Sequence, residues 1–90
     1  MDEARENLRD RRDIVSAYLS AARQPAALLQ VCARVAGDSD DAISAIAEAF
    51  EVGNLAAQAI LEMRVRQFTP SEIKKTEDEL AAIERDLADS

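Results

Sequence analysis

Two stretches, one near each end of the chain, share a seven-residue spacing of apolar side chains, and this spacing restricts the fold more than any other feature. Residues spaced seven apart lie along one side of a helix and form a seam that a second helix can cover. Because both stretches have such a seam, we predict that they pair as an antiparallel coiled coil. The predicted seam residues are Leu8, Val15, Ile73, Leu80, Ile83 and Leu87.

The composition favours helices throughout the chain. Of the 90 residues 48% are hydrophobic, but only two are glycine and two are proline. Such a sequence favours an all-α fold. Pro25 separates the first two helices, because the residue before a proline is pushed out of the α region. We predict five helices, at about 3–23, 26–36, 41–51, 55–67 and 70–88.

The five helices are expected to form a single domain over residues 1–90, since this length suits one small domain. Within it we assign 1–24 to a descending stalk-like helix, 25–69 to a small globule and 70–90 to an ascending stalk-like helix. A domain of this size buries only about 60–65% of the surface that its unfolded chain exposes. Oligomerisation is therefore a plausible source of extra stability.

Local residues mark where the predicted helices begin and end. Gly37 and Gly53 suit the ends of helices two and three, Gly37 as a left-handed terminator. Asp38 and Asn54 suit the caps of the helices that follow. The strongest signal is Thr-Pro-Ser-Glu at 69–72. It combines a capping threonine, a proline for the first helical position and the acid of a capping box, so the chain should restart a helix there.

The net charge of −7 argues against nucleic-acid binding. Phosphate contact needs clustered lysine and arginine, whereas Arg9, Arg11 and Arg12 are interleaved with Asp10 and Asp13, as on a solvated helix face. We therefore expect no direct nucleic-acid binding by the isolated chain. Helices three and four have helix-turn-helix spacing, but helix three is acidic, so a DNA-binding helical protein is the least favoured alternative.

The chain has few residues that are typical of catalytic or metal sites. It contains no histidine, the commonest general base and metal ligand. The single cysteine, Cys32, lies in an apolar helix and is expected to be a structural thiol. Asp38, Asp40 and Asp41 lack the spacing of a calcium loop. We therefore predict no catalytic residue, no metal and no cofactor. A chorismate mutase-like enzyme is disfavoured, because the arginines lie among carboxylates on polar faces.

The sequence also indicates a location. It has neither a signal peptide nor a long apolar run, so we expect a cytoplasmic protein with no membrane partner.

One run of residues carries a resemblance to a known family. Residues 57–65 read Ala-Gln-Ala-Ile-Leu-Glu-Met-Arg-Val, and Phe68-Thr69 and Glu77-Asp78-Glu79 follow. Here the chain resembles the A subunit of bacterial DNA gyrase and its topoisomerase IV counterpart, at the exit gate, or C-gate, at the foot of the long coiled coil. The similarity extends back through residues 11–15 and covers nearly the whole chain. The family usually has Leu at 68 and Gly-Leu at 70–71, and both differences keep the helix restart.

The resemblance implies a dimerising module without catalytic activity. In the family, this globule meets its symmetry mate and closes the cavity through which transported DNA leaves. The winged-helix domain, the context of the strand-passing tyrosine, the tower and the DNA-wrapping domain have no counterpart in these 90 residues. Tyr18 falls in the stalk and does not inherit the catalytic role. We therefore expect a homodimerisation module, either free-standing or a fragment of a type IIA topoisomerase.

The dimer contact is expected to use apolar side chains of the globule, because helices two to four have more of them than a thin core needs. The predicted contact residues are Phe50, Val52, Leu55, Ile60 and Met63. As an alternative, the chain is an interaction protein that binds a gyrase A subunit and modulates its gate, since the two would share an interface sequence.

Overall fold

The computed structural model describes residues 2–89, and its regular elements are all helices. No strand occurs among these residues, so the prediction of an all-α fold with five helices is confirmed. The α-helices are α1 (Asp2–Ala22), α2 (Pro25–Ala33), α3 (Ser39–Phe50), α4 (Asn54–Leu61) and α5 (Pro70–Asp89), and a short 3₁₀ helix spans Val65–Phe68. Within the described chain, none of these helices has the length and apolar character needed to cross a membrane.

The main core lies where α1, α3 and α4 meet, and small side chains allow the helices to approach closely. Ala21 of α1 and Ala57 of α4 are both 0% exposed. Ile46 of α3 and Ile60 of α4 are the large side chains that this core buries completely. We call this cluster the globule core; its buried members are Ala17, Ala21, Leu28, Ile46, Ala56, Ala57 and Ile60.

A second, smaller apolar cluster lies between α1 and α5, and we call it the stalk cluster. It consists of Val15, Ile83 and Leu87, with Leu8 and Leu80 packed against them. Five of the six predicted seam residues therefore meet in one place. The sixth, Ile73, is half-buried near the start of α5 and lies outside this cluster.

Polar contacts give the relative direction of α1 and α5. Near one end of the pair, Arg5 donates to the carbonyl oxygen of Leu87 at 3.2 Å. Near the other, Arg23 just after α1 contacts Glu77 at 2.6 Å. The two helices therefore run antiparallel. A coiled-coil geometry of this pair, and the division of the chain into stalk and globule segments, stay predictions.

The start of α3 follows the predicted chemistry. The Asp38 carboxylate accepts hydrogen bonds from the backbone N–H groups of Asp40 and Asp41, at 3.1 and 3.2 Å. In return the Asp41 carboxylate accepts one from the Asp38 N–H at 3.3 Å, which completes a capping box. Because two acids also face the positive end of the helix macrodipole, this start is stabilised electrostatically as well.

The predicted roles of the two glycines need correction. Neither Gly37 nor Gly53 has a positive φ. The left-handed residue at the end of α3 is instead Glu51, with φ 55° and ψ 48°. Gly53, rather than Asn54, occupies the N-cap of α4 and provides no side-chain cap. Glycine is the usual residue in the left-handed region, so Glu51 could not have been identified from residue type.

The predicted fourth helix is too long. Its expected range was 55–67, but α4 ends at Leu61, and the chain turns before the 3₁₀ helix. Met63 and Phe68, which follow this end, are half-buried and pack against the globule core. The turn is held by Gln67, whose side-chain oxygen accepts from the Arg64 N–H at 2.7 Å. The restart at Pro70, by contrast, lies where residues 69–72 predicted it, but the predicted capping box does not form. The Thr69 hydroxyl donates to the Arg66 carbonyl oxygen at 2.9 Å, and the Glu72 carboxylate contacts Arg66 and Lys75.

Candidate interaction surface

The five predicted contact residues occupy different environments. Leu55, at the start of α4, is 60% exposed. Phe50, Val52 and Met63 are half-buried and pack against the globule core. Ile60 is only 1% exposed, so its side chain is not available to a partner in this fold. We correct the predicted set by removing Ile60, because periodicity placed it on the apolar side of the helix without telling the core from the surface.

Leu55 lies in a groove between α1 and α4, which we call the α1–α4 groove. Its volume is about 370 Å³, and its apolar lining comes from Ile14, Tyr18, Leu55 and Ala59. The polar part of the lining consists of Gln58, Glu62, Arg64 and Gln67. Such a surface can accept an apolar side chain of a partner and surround it with hydrogen-bonding groups.

Phe50 and Val52 line a neighbouring groove of about 420 Å³, formed by α1 and the turn between α3 and α4. Ala17 and Ala56 contribute to its apolar part, but Asp13 and Glu51 also line it. A second acidic chain that approached this groove would meet carboxylates on both sides of the contact.

Exposed ion pairs connect α1 and the residue after it to α5. Arg11 pairs with Glu79, and Arg23 pairs with Glu77 at 2.6 Å. All four side chains are 40% exposed or more. Exposed pairs of this kind contribute up to about 1 kcal/mol each, so they help to set the pairing of the helices more than its strength.

Glu72 is the least exposed carboxylate among the ion pairs, with a side chain that is 19% exposed. It contacts Arg66 at 3.1 Å and Lys75 at 3.5 Å. The hydrogen bond from Arg66 and the positive charge of Lys75 lower the pKa of this carboxyl group. On the exposed side of α5, the hydrogen bond from Lys74 to Asp78 raises the pKa of the lysine.

Two kinds of site feature, buried polar side chains and metal-binding clusters, are not found among the described residues. From residue 3 to residue 89, no polar or charged side chain is buried. No group of three or more cysteine, aspartate or glutamate side chains within residues 2–89 is arranged to hold a metal ion. Cys32 is a free, half-buried thiol.

Sequence reasoning missed two exposed apolar residues. Leu29 on α2 is 69% exposed and Val65 in the 3₁₀ helix is 85% exposed. Val65 lay inside the predicted fourth helix, so its exposure depends on the turn after Leu61. For Leu29 there was a signal: α2 contains no charged residue, although it lies at the surface of an acidic chain.

The run that carries the gyrase-like resemblance is divided between the core and the surface. Ala57 and Ile60 are buried, whereas Gln58, Glu62 and Arg64 are exposed. The buried part is explained by packing of α4 against α1 and α3. In the exposed part, Gln58 donates to Glu62 at 3.2 Å, and both side chains line the α1–α4 groove together with Arg64.

Comparisons with known proteins did not identify a relative of this chain. No family model matches the chain, and neither the curated proteins nor the solved structures yielded a match.

Proposed function

We propose that this chain is a non-enzymatic homodimerisation module of the gyrase A C-gate type. Two copies would meet through apolar side chains of the segment 25–69, and the antiparallel helices α1 and α5 would carry that segment at one end.

The observation that carries the proposal is the distribution of exposed apolar side chains. The large apolar residues with high exposure are Leu29, Leu55 and Val65. All three lie within 25–69, and none lies on α1 or α5 in the described chain. A chain that leaves such residues in water gains free energy when a partner covers them, at about 25 cal/mol per Å² of apolar surface.

Two further observations support this function. The Ala57–Val65 run resembles the segment that belongs to the dimerising gate in the gyrase family. The globule core completely buries only two large side chains, Ile46 and Ile60, so the isolated chain has little apolar packing to stabilise it.

Sedimentation of the intact chain at micromolar concentration tests the proposal. The chain has a mass of 9.8 kDa, so a dimer sediments as a species of twice that mass. We expect the dimer fraction to rise with protein concentration. A single species of monomer mass over the whole concentration range would contradict the proposal.

A second candidate function is an interaction protein that binds a gyrase A subunit and modulates its gate. Its support is the exposed part of the resembling run, at Gln58, Glu62 and Arg64, because a gyrase subunit with the same run would offer a similar surface. A pull-down with purified gyrase, followed by a supercoiling assay, tests this candidate. Absence of both binding and inhibition would remove it.

DNA binding is less well supported. The surface of α4 offers Gln58 but no charged residue, and Arg66 is paired with Glu72. A mobility-shift titration at low salt addresses this alternative directly, since electrostatic DNA binding is strongest there.

A further inference from the structure

Helix α2 differs from its surroundings because it is exposed but has no charge. Its sequence is Pro-Ala-Ala-Leu-Leu-Gln-Val-Cys-Ala, in a protein of which 32% of residues are charged. Leu28 faces the globule core, whereas Leu29 is 69% exposed. Ala26, Gln30 and Ala33 are exposed around Leu29. We call these four exposed residues the α2 face.

The net charge of the chain restricts what can meet this face. Each copy carries a charge of −7, so two copies repel each other wherever acidic surfaces meet. The α2 face brings no carboxylate into such a contact. The charged residues that flank the helix, Arg23 before it and Arg34 after it, are both positive. A second acidic copy is therefore tolerated at α2 better than at the grooves lined by Asp13, Glu51 or Glu62.

The shape of the α2 face suits a contact with itself. Ala26, Leu29 and Ala33 are spaced by three and four residues, so they follow one side of the helix, with the large side chain between two small ones. In an antiparallel pair centred on Leu29, the two Leu29 side chains lie next to each other at the two-fold axis, and the small residues on either side let the helices approach closely. The two helix macrodipoles then oppose each other, which is favourable.

The ends of such a pair bring Arg34 of one copy near Arg23 of the other. The side chain of Arg34 takes part in none of the ion pairs of the described chain. In an antiparallel arrangement the end of one α2 faces the start of the other. There the carboxylate of Glu77 contacts Arg23, two residues before the helix begins. Glu77 offsets the positive charge of Arg23 there, so the approach of Arg34 does not bring an uncompensated arginine against it.

We propose that the α2 face, centred on Leu29, is the surface through which a second copy of this chain binds, as an antiparallel α2–α2 pair about a two-fold axis. This inference rests on the proposed homodimer and names its contact. Since a nine-residue helix is only about 13 Å long, the contact is small, and we expect a dimer that dissociates at roughly micromolar concentration.

Sedimentation equilibrium of matched charge variants tests the proposal. Leu29→Glu introduces a carboxylate on each side of the predicted axis, and Ala33→Glu does so one turn away. Leu55→Glu and Val65→Glu are the controls, because they change the other large apolar residues with high exposure in the segment 25–69. We expect both α2 variants to weaken dimerisation by roughly 30-fold or more, and the controls to change it little. Circular dichroism confirms that each variant is folded.

The outcomes separate this inference from the proposed function. A wild-type chain that remains monomeric contradicts the homodimer itself. If the wild-type chain dimerises and Leu29→Glu and Ala33→Glu dimerise equally well, the proposed function stands but the α2 contact is overturned. Equal weakening of dimerisation in all four variants also overturns the α2 contact. If Leu55→Glu alone dissociates the dimer, the contact is the α1–α4 groove. If Leu29→Glu does not fold, Ala33→Glu decides between these results.

Discussion

Arg66 and Glu72 connect the 3₁₀ helix to α5. The Nε and Nη2 atoms of Arg66 both donate to the same carboxylate oxygen of Glu72, at 3.3 and 3.1 Å. Thr69 lies between them in sequence, and its hydroxyl donates to the carbonyl oxygen of Arg66 at 2.9 Å. These contacts close the turn that separates the end of the globule from the long last helix.

The Arg66–Glu72 contact predicts a pH dependence of stability. Folding lowers the pKa of the Glu72 carboxyl group below its ordinary value of 4.5, chiefly through the hydrogen bond from Arg66. The stabilisation is therefore complete above the ordinary pKa and is lost as the pH falls through the lowered value. We expect wild type to be more stable than Glu72→Gln at neutral pH, and this difference to shrink in acid. Urea unfolding at several pH values measures it; a difference that does not change with pH would contradict the assignment.

The different burial of Ile60 and Leu55 predicts different costs of truncation on the same helix. Ile60→Ala removes a side chain that is 1% exposed and should lower the free energy of unfolding by about 2–5 kcal/mol. Leu55→Ala changes a residue that is 60% exposed, and its cost should stay below about 0.5 kcal/mol in the monomer. Chemical denaturation of dilute samples compares the two. Equal costs would mean that Leu55 is buried in solution.

The two glycines should respond in opposite ways to a side chain. A Cβ on Gly37 would lie 1.6 Å from the Oδ2 atom of Asp41, so Gly37→Ala displaces Asp41 from the capping box of α3. We expect the free energy of unfolding to fall by about 1 kcal/mol.

Gly53 is the matched position, because nothing lies within 4 Å of a Cβ there and its φ is −72°. Gly53→Ser adds the missing side-chain cap of α4 and should stabilise the chain by about 0.5 kcal/mol. Thermal unfolding of both variants provides the comparison, and stabilisation by Gly37→Ala would show that Asp41 is not held in the box.

Glu51 predicts a stabilising substitution. Its φ of 55° is unfavourable for a residue with a Cβ, and its negative charge lies at the negative end of α3. Glu51→Gly should therefore stabilise the chain by about 1 kcal/mol. Glu51→Gln removes the charge but keeps the Cβ, so we expect it to give only a smaller part of this increase in stability. If both variants gave the same increase in melting temperature, charge rather than backbone conformation would be the cause.

The features that the sequence predicted well depend on local chemistry. The starts of α2 at Pro25, of α3 behind Asp38 and of α5 at Pro70 follow from a proline or a capping side chain that acts on its own neighbours. The pairing of α1 with α5 was also accessible, because a seven-residue repeat records which side of a helix is covered.

The features that were missed depend on contacts between distant residues. The segment after Leu61 has good helix formers, but α4 ends there, and Met63 and Phe68 pack half-buried against the globule core. Periodicity placed Ile60 on the apolar side of α4 without showing that it would be buried, while Leu55 would be exposed. Residue type suggested a glycine for the left-handed position that Glu51 occupies. Residue preference alone does not show which backbone conformation the turn between α3 and α4 requires at that position.

Helix α1 supplies Val15 to the stalk cluster and Ala17 and Ala21 to the globule core. One helix thus contributes side chains to both apolar clusters. Val15 and Ala17 are two residues apart, so a shift of α1 against α5 also displaces side chains of the globule core.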